Sequence, residues 1–273
     1  MPDTHPPLRA ALPMAWPRRR LLGALVAPLL PAVAGCRAPD TPAMRVGAYP
    51  WPGYELMYLA RSRNYVGADL VRLVEAPNAS ASLRALASGT LEGAGLTLDE
   101  VLSARARGLD LQVAVIDESR GADVLLGGPS VDTLEALKGR RIGVEQSATG
   151  ALMLDAALQR AGLGPADVKL VALASNEHAS AFRERKVDAL VTFEPMRSLL
   201  MQQGARPLFS SAEAPGLIID VLAMRADVLA AHASAVRALV AGFFQARGDW
   251  LRDAAAQAPL IAPRLHLPAA DVI

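Results

Sequence analysis

The chain has 273 residues, a formal net charge of +1 and 52% hydrophobic side chains. With charge so nearly balanced, nothing suggests a nucleic-acid partner, and the apolar content is far too high for a disordered polar chain. A single cysteine argues against a disulfide scaffold and against a cysteine-based metal site.

The first 36 residues read as an export signal and stand outside the fold. Arg18, Arg19 and Arg20 form a basic start, and residues 21–34 form an apolar run. At about 14 residues this run is shorter than the ~20 that span a bilayer. It ends in Val33-Ala34-Gly35-Cys36, a quartet that resembles the bacterial lipobox, which makes Cys36 the expected lipidation site. Residues 18–22 also loosely resemble a twin-arginine signal. The plain alternative is an Ala/Pro-rich tail with a chance cysteine, but the basic start, apolar run and cysteine stand in signal order. Removing the signal takes away four arginines and one aspartate and leaves a net charge of −2.

Residues 37–43 (RAPDTPA) read as a short extended tether. Beyond them, strand-length apolar runs alternate with helix-length amphipathic ones. The pattern predicts a strand at 44–48, a helix at 54–65, a strand at 70–75, a helix capped by Ser80 and stopped near Gly89, and a strand at 91–96. Thr97 and Glu100 have capping-box spacing for a helix reaching Gly108. A strand at 111–116 follows. In the second half Asp132 and Glu135 box a helix ending at Gly139. Strands at 141–145, 168–173 and 189–193 alternate with helices at 150–161, 177–186 and 195–203. Residues 218–224 read as a returning strand and 227–251 as helix.

This grammar predicts an α/β chain with parallel sheets. Two half-size units suit it better than one continuous sheet, with joints near 116–128 and 218–224. The expected organisation is therefore bilobed: lobe 1 from 44–122 and 221–273, lobe 2 from 123–220. Residues 267–273 look like the start of a capped helix without its body, so a fragment is expected rather than a short variant.

Six segments in one order carry a resemblance: VGAYPWPGYELMYLAR, LTLDEVLSARARGLDLQV, GADVLL, LKGRRIGVEQSATGALML, NEHASAFRERKVDALVTFEP and IIDVLAMRADVL. Over roughly residues 44–255 the chain resembles substrate-binding proteins of the nitrate/sulfonate/taurine class of ABC importers, the NMT1/THI5-like group. The resemblance implies the type-II periplasmic-binding-protein fold, two α/β lobes joined by a hinge that close over a small solute. It also implies delivery to an ABC permease in the inner membrane. With lipid on Cys36, the expected place is the periplasmic side of the cell membrane, as a monomer without cofactor or catalytic residues.

Several residues are candidates for the cleft. Ser147, Thr149 and Gly150 open a helix directly after a strand, where small residues let backbone N–H groups approach a ligand; an ordinary strand-to-helix turn would look the same. Tyr49, Trp51 and Tyr54, stiffened by Pro50 and Pro52, suit an apolar cleft wall or a cap on the first helix. Thr97, Asp99, Asp123, Glu177, Glu194 and Asp220 each fall at a strand end or the helix start after it, the edge where open α/β sheets hold ligands. Asp99 could equally serve only a helix N-terminus, and Asp220 only pair with an arginine. His178 suits a ligand donor or a surface helix position. His232 and His266 lack partners at metal-ligand spacing, so no metal is expected.

Converging carboxylates favour an amine-bearing or heterocyclic ligand (taurine-like or pyrimidine-like) over an alkanesulfonate, and that over nitrate. Two other functions compete. The same group includes fungal thiamine-pyrimidine synthases, but these carry a cysteine-rich iron motif, and here the sole cysteine sits in the signal. A ligand-sensing domain without a transporter is the third.

Overall fold

The computed structural model describes residues 41–117, 120–145 and 147–272; Cys36 and most of the tether lie outside them. The first sheet is built from β1 (Met44–Ala48), β2 (Val71–Glu75), β3 (Gly93–Thr97) and β4 (Leu111–Asp117), joined through α1 (Pro52–Ser62), α2 (Ala79–Ala87) and α3 (Leu98–Ala106). Local chemistry explains the helix starts. Pro52 occupies the first turn of α1, where its missing N–H costs nothing. The cap of α2 is Asn78, whose side chain accepts from Ala81 N at 2.9 Å, and not the expected Ser80. At α3, Glu100 reaches back to accept from Thr97 N at 3.0 Å, as its spacing predicts.

The second sheet contains β5 (Asp123–Gly127), β6 (Arg141–Val144), β7 (Lys169–Ala172), β8 (Ala189–Phe193) and β9 (Arg206–Ser210). Between them lie α4 (Ala148–Arg160), α5 (His178–Arg183) and α6 (Met196–Gln202). The chain then returns through β10 (Asp220–Arg225) to the first sheet and ends in α7 (Ala233–Arg252) and α8 (Ala254–Leu265). Two expectations need correcting, and two further elements fall where the sequence pattern marks none. The helix at 132–139 is only a 3-10 turn, Glu135–Leu137. β5 falls in what reads as a joint, because it is buried on both faces and shows no alternation. β9 is an edge strand whose Pro207 disguises it. α8 contains Pro259 and Pro263, residues disfavoured inside a helix; it persists because Ala258, Ile261, Ala262 and Leu265 form one buried face.

The sheet orders are β2-β1-β3-β10-β4 and β7-β6-β8-β5-β9. They are mixed, not purely parallel: β10 runs antiparallel to β3 and β4, and β5 antiparallel to β8 and β9. The cause is the double crossing. A strand that starts where its predecessor's lobe ended enters the new sheet from the opposite direction. This reversal matters for the site, because the first residues of β5 and β10 lie level with the last residues of their neighbours. Asp123 pairs with Phe193, and Asp220 pairs with Thr97 and Asp117.

Each sheet centres one lobe. In the first, Leu59 and Ala60 of α1 pack with Leu239, Phe243 and Ala246 of α7. Gly242 lets α7 approach the segment after α1, since a Cβ there would lie 2.4 Å from Val66 Cγ2, and α1 itself, at 3.4 Å from Ala60 Cβ. In the second, Leu125 faces α4 while Val124 and Leu126 face the opposite cluster with Leu200, the period-two division of a strand covered on both sides.

Candidate functional site

A cavity of about 20 Å³ lies between the two lobes at the carboxyl edges of the parallel strands. The loop after β1 brings Tyr49 and Trp51 to it, β3 and α3 bring Thr97 and Glu100, and β10 brings Asp220. From the other lobe come Asp123 at the start of β5, Glu145 just past β6, Ser147, Thr149, Gly150 and Met153 around α4, His178 on α5, and Val191, Thr192 and Phe193 ending β8. Asp123 and Asp220 hold equivalent posts, each the first residue of a crossing strand.

Aromatic rings close one side. Phe193 of the second lobe meets Tyr49 at 5.8 Å and Trp51 at 5.6 Å between ring centroids, and Tyr49 stands edge-on to Tyr54 at 5.3 Å. Tyr54 itself lies one layer deeper. Its ring covers Gly95, where a Cβ would come within 2.9 Å, and its hydroxyl is 3.4 Å from Asp220 Oδ1. Cleft wall and helix cap therefore coexist here: Tyr49 and Trp51 line the cavity, and Tyr54 supports them.

The lobes also touch through a hydroxyl pair. Thr149 donates to Asp99 Oδ2 at 3.1 Å, and the Thr97 and Thr149 hydroxyls are 2.7 Å apart. A hydroxyl has one proton to give, so Thr97 is the donor to Thr149. Asn78 adds a contact to Asn176 at 3.4 Å.

The electrostatics are lopsided. Glu100, Asp123, Glu145 and Asp220 are all at most 8% exposed, and among the described residues neither arginine nor lysine lines the cavity. Burial raises every one of these carboxyls: Glu145 to about 7, Asp123 to about 7 with help from the Asp99 charge, and Asp220 to about 8 with help from Asp123 and Asp117. Burial also lifts Glu100 to about 8, against the pull of the Thr97 backbone. His178 is 1% exposed and is pushed down to about 4 by burial, so it is neutral at physiological pH. Its Nδ1 lies 3.0 Å from the Thr192 hydroxyl.

Four buried polar atoms of this lining have no hydrogen-bond partner: Trp51 Nε1, Glu145 Oε1, His178 Nε2 and Asp220 Oδ2. Native interiors rarely leave such atoms unanswered, each at a cost of about 1–3 kcal/mol. Among the described residues no group of three His, Cys, Asp or Glu side chains is placed to hold a metal ion.

Besides Tyr54, three candidates from the sequence stand outside the lining: Asp99, Glu177 and Glu194. Asp99 points from α3 to Thr149 and forms part of the lobe contact. Glu194 caps α6, accepting from Ser198 N at 3.1 Å and from Arg197 Nη1 at 2.7 Å; its charge is used within its own turn. Glu177 similarly closes its own turn by accepting from Ala174 N at 3.0 Å. The glycine at 150 has a structural reason, since a Cβ would sit 2.6 Å from the Glu145 carbonyl oxygen, and its N–H goes to Ser147 Oγ at 3.2 Å.

Sequence reasoning overlooked Glu145, Glu100, Thr192 and Phe193. Glu145 stands directly after β6, where the strand-end rule that selected Asp123 and Asp220 would have found it. Glu100 was hidden by its capping role.

None of the curated proteins matches the chain. Among solved structures it is similar to the alkanesulfonate-binding protein SsuA from Xanthomonas axonopodis pv. citri, with 24% identity over 86% of this chain and 83% of that one and a TM-score of 0.76. The periplasmic nitrate-binding protein NrtA from Synechocystis PCC 6803 is similar at 13% identity over 86% and 69%, with a TM-score of 0.71. The desulfurization enzyme DSZB is similar at 17% identity over 84% and 82%, with a TM-score of 0.60. At these identities the likeness is one of fold, the periplasmic-binding-protein fold. The sequence itself matches the NMT1-like family over residues 37–265, and the chain belongs to that family.

Proposed function

We propose that the protein is the extracytoplasmic solute-binding component of an ABC importer, and that its solute is a small amine-bearing or heterocyclic molecule rich in hydrogen-bond donors. One observation carries the ligand class: four buried carboxyls converge on the cavity, and among the described residues no cationic side chain lines it with them. An ammonium or a protonated ring nitrogen supplies the missing charge, and ring N–H groups supply donors. The fold neighbours named for alkanesulfonate and nitrate bind anions; here an anion would meet neutral acids at best and carboxylates at worst. Alkanesulfonate therefore ranks below amines and heterocycles, and nitrate last.

The protein works by differential binding. A ligand that touches both lobes stabilises the closed form over the open one, and a permease reads the difference. Moving such an equilibrium from mostly open to mostly closed takes ~5 kcal/mol, which a few charge-assisted bonds of ~1.5–3 kcal/mol each supply. The lipid on Cys36 would hold this receptor, as a monomer, beside an inner-membrane permease; Cys36→Ser then leaves it unprocessed or free of the membrane fraction.

An enzyme is the second reading, because the fold also serves the desulfurization enzyme DSZB. Among the described residues the cavity's titratable and hydroxyl groups are carboxyls, threonine, serine and tyrosine hydroxyls and a neutral imidazole. A thermal-shift screen of amines, aminopyrimidines, taurine, alkanesulfonates and nitrate tests the assignment. Stabilisation by nitrate or simple sulfonates, with no response to amines or pyrimidines, would reverse the ligand order, and turnover of a bound pyrimidine would make the protein an enzyme.

A further inference from the structure

A second space opens beside the inner cavity. It encloses about 370 Å³ against about 20 Å³ for the cavity, and the two share four lining residues: Tyr49, His178, Thr192 and Phe193. Both lobes wall it. Pro77 and the α8 terminus come from the first, and Met196 and Leu199 from the second. Its surface is overwhelmingly apolar, and its carboxylate, Glu75, is already engaged by Arg264 Nη1 at 2.6 Å.

Resting on the proposed role of the cavity as a solute site, we infer that the natural ligand is amphipathic, with a polar head among the four carboxyls and an alkyl or aryl body in this groove. Size is the first argument. Ligand pockets commonly enclose ~300–1,000 Å³, and the inner cavity alone falls more than tenfold short of that. Polarity is the second: four unpartnered polar atoms lie on the cavity lining, whereas the groove adds only Glu75, Ser175, Asn176 and His266 to an otherwise apolar wall. The third is the boundary between the two spaces. His178, 1% exposed, lines both, and its Nε2 is buried there without a partner. A molecule passing from one space to the other presents its first polar atom to that nitrogen. The rings of Tyr49 and Phe193 line the same boundary. A macromolecular partner would not explain why an apolar groove shares a wall with a buried polar chamber.

The test is a calorimetric titration of the full chain with two matched series, n-alkylammonium and n-alkanesulfonate, with tails of two to eight carbons. Burying one methylene favours binding about fourfold, so affinity is expected to climb by about that factor per carbon in the ammonium series until the groove is full. Leu199→Asn, and independently Met196→Ser, should weaken the eight-carbon compound at least tenfold more than the two-carbon one. A climb in the sulfonate series alone upholds the groove and ends the cationic-head assignment. Flat affinity along the ammonium series overturns the groove and leaves the head assignment standing, and flat binding of the sulfonates alone overturns both. If neither series binds at millimolar concentration, both are overturned.

Discussion

Glu55 and Asp220 are buried almost equally, at 0% and 4% exposure, yet they keep different company. Glu55, on α1, accepts from Arg264 Nε of α8 at 2.8 Å, and the same guanidinium lies 3.4 Å above the Tyr58 ring and holds Glu75. Asp220 has a weak hydroxyl contact from Tyr54 and the Trp51 indole beside it, both uncharged, and its charged neighbours are the acids Asp123 and Asp117. Where a buried carboxyl belongs to the scaffold, this chain supplies its cation from a neighbouring helix. In the cleft it does not, and that contrast is the clearest sign that the complement comes from outside.

Breaking the scaffold pair should have the largest effect. Arg264→Leu leaves Glu55 buried without its cation, and denaturant unfolding at neutral pH should show a loss of about 3 kcal/mol. Asp220→Asn should behave in the opposite way. The unliganded protein should hold or gain stability above pH 7, while affinity for an ammonium ligand falls tenfold or more, as one charge-assisted bond is worth ~1.5–3 kcal/mol. If both substitutions destabilise alike, the two carboxyls are equally structural and the contrast fails.

pH separates the regions further. Glu100, Asp123, Glu145 and Asp220 have native values near 7 to 8, above those of an unfolded chain. The native state therefore binds the extra protons, so their contribution is complete below about pH 4 and disappears as pH rises through about 8. Glu55, raised to about 7, adds to the same trend. His178, held near 4, acts the other way and costs stability only as pH falls below about 6.5. Between about pH 6.5 and 8.5 the carboxyls act alone, and thermal unfolding of the free protein should shift to lower temperature. Asp220→Asn should flatten that slope, whereas a slope unchanged by it would mean that the cleft acids titrate normally.

The smallest effect concerns closure. Thr149→Val removes the hydroxyl that links Thr97 to Asp99 across the lobes. A net hydrogen bond is worth about 1 kcal/mol, so ligand affinity should fall roughly fivefold with little change in fold stability.

Much of the scaffold was legible in the sequence. Strand β1 and strand β8 fall where apolar runs place them, and the Thr97–Glu100 spacing marks the start of α3. What escaped was hidden by physics that acts at a distance. β5 has no alternation because both its faces are covered, and α8 holds two prolines in helix because packing on α1 outweighs their local preference. The direction of β5 and β10 depends on the lobe crossings, which no local pattern records. In the site, a strand-end rule was enough to find Asp123 and Asp220. It could not show that Glu194 is consumed by Arg197 and Ser198, or that Glu100 serves its cap and the cavity together. The groove at Met196, Leu199 and the end of α8 joins segments far apart in the chain and has no sequence signature.

The central claim is that the cleft's carboxyls await a positive or donor-rich ligand. The direct test is calorimetry of the full chain at about pH 7.5, in two buffers of different ionisation heat, with n-butylamine and butanesulfonate as a matched pair. The account predicts that the amine binds and expels protons from the cavity carboxyls, while the sulfonate gives no binding heat. Binding of butanesulfonate with proton uptake, and none of the amine, would contradict it.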